Sequence, residues 1–193
     1  MRGMHDAFST HRSAVWRPAS QLPHSAIGDS HRSWLLDPSS LTQRLTSACA
    51  GQFRVKVLAL GWIRPLPDER RRLGLRQDSM ALVRQVQLLC NERPWVYART
   101  VIPRATLSGR QRRLAHLGAR PLGAALFADP TMARDPVEVA RLIPGGVLYA
   151  LATAGLVPAP REVWARRSVF RVSGKPLLVS EIFLPDLPAA PCR

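Results

Sequence analysis

The sequence predicts a single α+β domain built on an antiparallel sheet, and three observations predict it. Residues 81–89 with 95–102, and 164–172 with 177–184, form two pairs of β-branched, apolar runs. Each pair is joined by a few turn-forming residues, a link that antiparallel strands accept and parallel strands do not. Short helix signals are interspersed among these pairs rather than alternating regularly with single strands. Finally, 193 residues at 46% apolar suffice for one core, and no apolar run approaches the roughly 18 residues of a membrane span.

Taken in order, residues 1–32 read as a disordered extension of Ser, Arg, Pro, Gly and four of the five histidines, and residues 188–193 as a tail. The ordered domain is expected over 33–187. Asp37-Pro38-Ser39-Ser40 reads as an N-cap with proline at the first helical position, followed by Leu41 and Leu45 at helical spacing. Residues 53–57 alternate cleanly and predict a strand with one wet face. A loop rich in Pro and Arg follows over 64–74, then the first hairpin. Ser108 caps a short helix closed by Gly118, and Pro121-Leu122-Gly123 opens a second helical segment ending near Phe127. Residues 136–162 are ambiguous, with helical spacing broken at Pro144-Gly145-Gly146, and 142–162 read as an insertion. The second hairpin turns at Ser173-Gly174-Lys175.

Charge and cysteine content narrow the function classes. The chain carries 28 Lys+Arg against 13 Asp+Glu, a net +15, which favours an anionic partner. The basic residues are dispersed rather than gathered in one stripe, so solvated arginine-rich faces are expected and no nucleic-acid footprint. Cys49, Cys90 and Cys192 are odd in number and widely spaced, which indicates reduced thiols and neither a disulfide framework nor a zinc site. No continuous apolar segment marks a secretory signal, and the expected location is cytoplasmic.

Two ionisable residues stand out by periodicity. A period of two places Leu82, Arg84, Val86 and Leu88 on one strand face, so a guanidinium points where three apolar side chains point. On the last strand, Leu177, Val179, Glu181 and Phe183 share a face, and Glu181 is the sole acid between Ser173 and Leu184. Arg84 and Glu181 either pair with each other or serve a pocket. In the second case a fixed cation binds a carboxylate, and a carboxyl group in an apolar setting handles a proton.

Arg84-Gln85-Val86, Pro94-Trp95 through Ile102-Pro103, Thr106-Leu107-Ser108-Gly109, Leu117-Gly118 with Pro121-Leu122-Gly123, Arg166-Arg167-Ser168, and Ser173-Gly174-Lys175 through Leu184-Pro185 occur in that order. Together they resemble the chorismate pyruvate-lyase family, the carbon-oxygen lyases that make 4-hydroxybenzoate in the first committed step of bacterial ubiquinone biosynthesis. The resemblance implies helices covering a buried ligand site. It implies that Arg84 holds the ring carboxylate, that Leu122 contacts ligand through its backbone, and that Glu181 lies at the opposite end of the ligand. Leu41 stands where familiar members carry methionine, keeping an apolar contact. Arg84 and Glu181 are thus the expected catalytic pair, with Glu181 as acid or proton relay.

The implied reaction eliminates pyruvate from chorismate and needs no cofactor or metal, because aromatisation drives it. The implied partners are chorismate and 4-hydroxybenzoate, bound by a monomer without membrane insertion or nucleic acid. The rival is a non-catalytic, small-anion-binding effector domain of related fold. That rival wants an attached DNA-binding domain, for which residues 1–32 are too short and too interrupted by Pro and Gly.

Overall fold

The computed structural model describes residues 13–23, 27 and 29–189. Its centre is an eight-stranded sheet in which every pair is antiparallel. The strands are β1 (Arg17–Pro18), β2 (Phe53–Ile63), β3 (Ala81–Cys90), β4 (Arg93–Pro103), β5 (Ala133–Arg134), β6 (Glu138–Leu142), β7 (Val163–Val172) and β8 (Lys175–Phe183). Across the sheet the order is β1-β6-β7-β8-β4-β3-β2, with β5 also pairing with β7. The α+β architecture follows the sequence, and both hairpins form. The first turns on Asn91 and Glu92, both at positive φ. That is the primed-turn geometry matching the twist of the flanking strands. The second turns on Ser173 and Gly174, again both at positive φ.

Five α-helices occur among the described residues: α1 (Asp29–Leu36), α2 (Leu41–Ala48), α3 (Pro67–Leu73), α4 (Leu122–Phe127) and α5 (Val147–Thr153). None is long and apolar enough to cross a membrane. They cover both faces of the sheet because strand alternation makes both faces apolar. On the front, α1 and α2 pack on Val86, Leu88, Val96 and Phe183. Beside them, the 3-10 helix Gly109–His116 and α4 pack on Leu82, Ile102, Leu177 and Val179. On the back, α5 packs on Tyr97, Ala165 and Ile182, and Leu73 of α3 packs on Val83, Val101 and Leu178.

The back face also carries charge, and α3 satisfies it. Pro67 takes the first helical position, where a missing N–H costs nothing. Glu69 accepts a hydrogen bond from the Leu66 N–H at 2.8 Å and from the Arg99 guanidinium at 2.7 and 3.1 Å. Asp68 accepts from Arg167 at 2.8 Å and from the Trp16 indole at 3.0 Å. Arg99 and Glu69 are 2% and 3% exposed, so this pair is fully removed from water.

Several expectations are corrected. Cys49 and Cys90 are joined in a disulfide, with Cα atoms 5.8 Å apart. A sequence separation of 41 hides the pairing, which arises because β2 brings its entrance beside the end of β3, Phe53 opposite Cys90. Cys192 lies outside the described residues. The chain also joins the fold earlier than Ser33. Arg17 and Pro18 pair with β6, Ile27 is buried in the front core, and Arg167 stacks on Trp16 at 4.4 Å. Residues 1–12, 24–26 and 28 of the expected extension lie outside the described residues, as do 190–193 of the expected tail.

The helix after Asp37 starts at Leu41 rather than at Pro38. Asp37 turns back to accept the Ser39 N–H at 2.7 Å, and Ser40 takes the cap position without a side-chain bond. The ambiguous 136–162 stretch contains strand β6, a turn and then α5, whose Leu148, Tyr149 and Ala152 are core residues. Four arginines (Arg84, Arg99, Arg166 and Arg167) are buried, so the basic residues are not all solvated.

Candidate active site

A cavity lies between the front face of the sheet and a roof made by α2 and α4. Its floor is Val86 on β3, Ala98 and Thr100 on β4, and Val179 on β8; Leu41 and Thr42 of α2 and Leu122, Gly123 and Leu126 of α4 close it from above. The floor is low because β4 contributes small side chains opposite larger ones on both neighbours. The roof is close-fitting. A Cβ on Gly123 would come within 3.2 Å of the Ser40 and Thr42 hydroxyl oxygens, so any side chain there would force those groups to shift by a few tenths of an ångström.

Register explains how Arg84 and Glu181 come to share this cavity. Ala98 of β4 pairs with both Val86 and Glu181, and Thr100 pairs with both Arg84 and Val179. Arg84 and Glu181 therefore point to the same face from strands separated by β4, two strand spacings apart and staggered by two residues, about 12 Å between their backbones. All four residues singled out by the sequence (Arg84, Leu122, Glu181 and Leu41) line the cavity.

Arg84 and Glu181 do not pair with each other. The Arg84 guanidinium donates to the carbonyls of Gly118 at 2.9 Å and Arg120 at 3.1 Å. Gly118 can present its carbonyl there because it adopts the left-handed conformation, φ +54. Arg84 is 4% exposed and has no carboxylate partner among the described residues. Burial alone pulls its pKa below the ordinary arginine value. A buried cation without a counter-charge is costly unless an anion comes to it.

Glu181 sits in a setting different from the apolar one its own strand suggested. Arg166 of β7, directly opposite in the register, donates from Nε to Glu181 Oε2 at 2.5 Å. The same Arg166 reaches upward to the carbonyls of Trp34 at 3.0 Å and Asp37 at 2.7 Å, tying the α1–α2 link to the sheet. Arg134 of β5 completes this end. It donates to Ser168 Oγ at 3.0 Å and to the Pro38 carbonyl at 3.1 Å, and stacks on Phe170 at 5.1 Å.

Sequence reasoning quoted Arg166 in a motif but gave it no role, and missed Arg134. On β7 both alternating faces carry arginine, Arg166 in front and Arg167 behind, so alternation alone cannot single one out. Arg134 sits on a two-residue strand, too short for any period. No group of three or more potential metal ligands occurs among the described residues.

A buried, arginine-lined cavity with one carboxylate agrees with the order of motifs in the sequence. The sequence profile described as chorismate lyase matches residues 10–189. The chain belongs to the chorismate lyase family. It is 47% identical over 164 residues to a protein of Azoarcus sp. (strain BH72) named "Probable chorismate pyruvate-lyase", covering 83% of this chain and 86% of that one. A protein of the same name from Thiobacillus denitrificans is 45% identical over 173 residues, 89% of each chain.

Among solved structures, the effector domain of PhnF from Mycobacterium smegmatis shares the chorismate lyase fold seen here. Its TM-score is 0.53 at 14% identity, over 78% of this chain and 91% of that one. The C-terminal domain of the histidine utilization repressor from Pseudomonas syringae gives 0.51 at 10%, over 74% and 98%. These two likenesses concern the fold alone.

Proposed function

We propose that this protein eliminates pyruvate from chorismate to give 4-hydroxybenzoate. The observation that carries the reading is that Arg84 and Glu181 face one roofed cavity from strands on either side of β4, in a chain of the chorismate lyase family. Arg84, with the Leu122 N–H that helix geometry leaves unpaired in the first turn of α4, holds the ring carboxylate. Leu41 and Val86 then press on the two ring faces, fixing the ring for reaction. The far edge of the ring, para to that carboxylate, faces Glu181.

In the reaction the C4 hydrogen leaves as a proton, and its bonding electrons complete the aromatic ring as the C3–O bond breaks. The departing enolpyruvate takes up one proton at its methylene carbon and becomes pyruvate. One proton leaves and one is delivered, so a single carboxylate can carry both transfers. Glu181 is that carboxylate, oriented by its bond from Arg166. The closed roof keeps water from the intermediate enol.

The test is incubation with chorismate, following 4-hydroxybenzoate by absorbance and pyruvate by mass, with a one-to-one yield expected. Glu181→Gln keeps shape and hydrogen bonding but cannot carry a proton, so kcat should drop by roughly 10²–10⁴. Affinity for 4-hydroxybenzoate should change little. A Glu181→Gln protein with normal kcat removes Glu181 from the chemistry. Absence of product from the unaltered protein favours the effector-binding alternative.

A further inference from the structure

We infer that Arg134 and Arg166 form a second carboxylate site, which takes the enolpyruvyl carboxylate of the substrate and has no counterpart to hold in the aromatic product. The inference rests on the lyase reading above and deepens it. Four charged residues line the cavity: Arg84 at one end, and Arg134, Arg166 and Glu181 at the other. Three cations against one carboxylate leave a net +2, the charge that a substrate with two carboxylates neutralises. A monoanion such as 4-hydroxybenzoate answers Arg84 alone and leaves one cation uncompensated near Glu181.

The bonding of the two arginines leaves donors for such a ligand. Among the described residues, Arg166 uses Nε on Glu181 and Nη1 on backbone carbonyls, and its Nη2 has no partner. Arg134 uses Nε on Ser168 and Nη1 on Pro38, and its Nη2 likewise has none. Burial, and next the charge of Arg166, push the Arg134 pKa down, while Glu181 and Asp37 offset this in part. This end of the cavity thus holds more positive charge than its own acids answer. Asp37 does not fill the deficit, since its carboxylate is engaged by Arg44 at 2.8 Å and by the Ser39 N–H.

The spacing also suits the reaction. The leaving group is attached at C3, beside the C4 carbon whose proton goes to Glu181. A carboxylate on that group falls next to Glu181, where the two arginines stand. Holding it there places the enol methylene near the carboxyl that must protonate it. After elimination the pyruvate carries that carboxylate away, and the clamp contributes nothing to holding the aromatic product.

The experiment compares substrate and product on the same variants. Arg134→Met keeps the stem over Phe170 and removes the fork, while Arg134→Lys keeps a charge without it. For Arg134→Met the KM for chorismate should rise on the order of 10- to 100-fold, the size expected for a lost charge-assisted bond. The Kd for 4-hydroxybenzoate, by titration calorimetry, should stay within about threefold. Arg134→Lys should recover part of the KM effect. Equal weakening of chorismate and 4-hydroxybenzoate, or no change in either, overturns the clamp.

A second variant, Arg166→Lys, is read only on protein whose melting is cooperative, and should show the same asymmetry. If the unaltered protein releases no pyruvate from chorismate, the lyase reading fails separately. Chorismate binding can then be titrated directly, and the clamp stands only if Arg134→Met weakens chorismate more than 4-hydroxybenzoate.

Discussion

At the scale of single residues, two buried arginines on neighbouring strands differ in what satisfies them. Arg99 meets a carboxylate of its own chain, Glu69, whereas Arg84 meets only backbone carbonyls. Changing them should therefore fail in different ways. Arg84→Ala should leave melting nearly unchanged and weaken 4-hydroxybenzoate binding by about 1.5–3 kcal/mol, the range for hydrogen bonds to charged groups. Glu69→Gln strands Arg99 in the core and should cost about 3–5 kcal/mol of stability. Activity per folded molecule should persist, because Glu69 lies on the opposite face of the sheet. Thermal melting and ligand titration on both variants check the contrast, and the reverse pattern would refute it. Arg84 was legible in the sequence because its face of the strand is otherwise apolar, so one guanidinium breaks the pattern. Arg134 and Arg166 were not, since a two-residue strand has no period and β7 carries arginine on both faces.

At the scale of elements, the roof helix α2 is fastened at both ends by different chemistry. Near Leu41, Asp37 and Arg44 bond to each other, Arg44 reaches Ser33 and stacks on Trp34, and Arg166 holds the Asp37 carbonyl. At the far end, the cap residue Cys49 is bonded to Cys90 of β3. A cross-link over 41 residues restricts the unfolded chain by up to about 4 kcal/mol on loop entropy. Dithiothreitol, or Cys49→Ser, should thus lower Tm. The KM for chorismate should hardly move, because the end of α2 that touches the cavity keeps its own fastenings. A large KM change with constant Tm would contradict this division of labour. Strand positions were the most legible elements, since Ala81 and Val172 already bounded them in the sequence. β6 and the true start of α2 were not. Residues 138–142 pair with β7 across the intervening α5 and with a two-residue β1 near the start of the chain, and Asp37 spends its carboxylate on a turn rather than on a cap.

At the scale of the whole molecule, the last strand among the described residues does not lie at an edge. β8 sits between β7 and β4, contributes Val179 and Glu181 to the site, and pairs with residues more than seventy positions earlier. A protein ended at Gly174 should lack a cooperative melting transition and bind no 4-hydroxybenzoate, which circular dichroism and calorimetry would reveal. A chain of that length that still melts sharply would show that β4 and β7 can close the sheet by themselves. The same placement governs how the protein is born. While it is being synthesised, the β2-β3-β4 ribbon emerges first and must wait with the β4 edge open, and β7 later emerges with an open edge of its own. Such edges invite pairing with other chains. Only when residues 175–183 clear the ribosome can they slot in and zip the two halves together. Completion of the sheet thereby waits for these residues, and the growing chain is most exposed to misassociation just before they emerge.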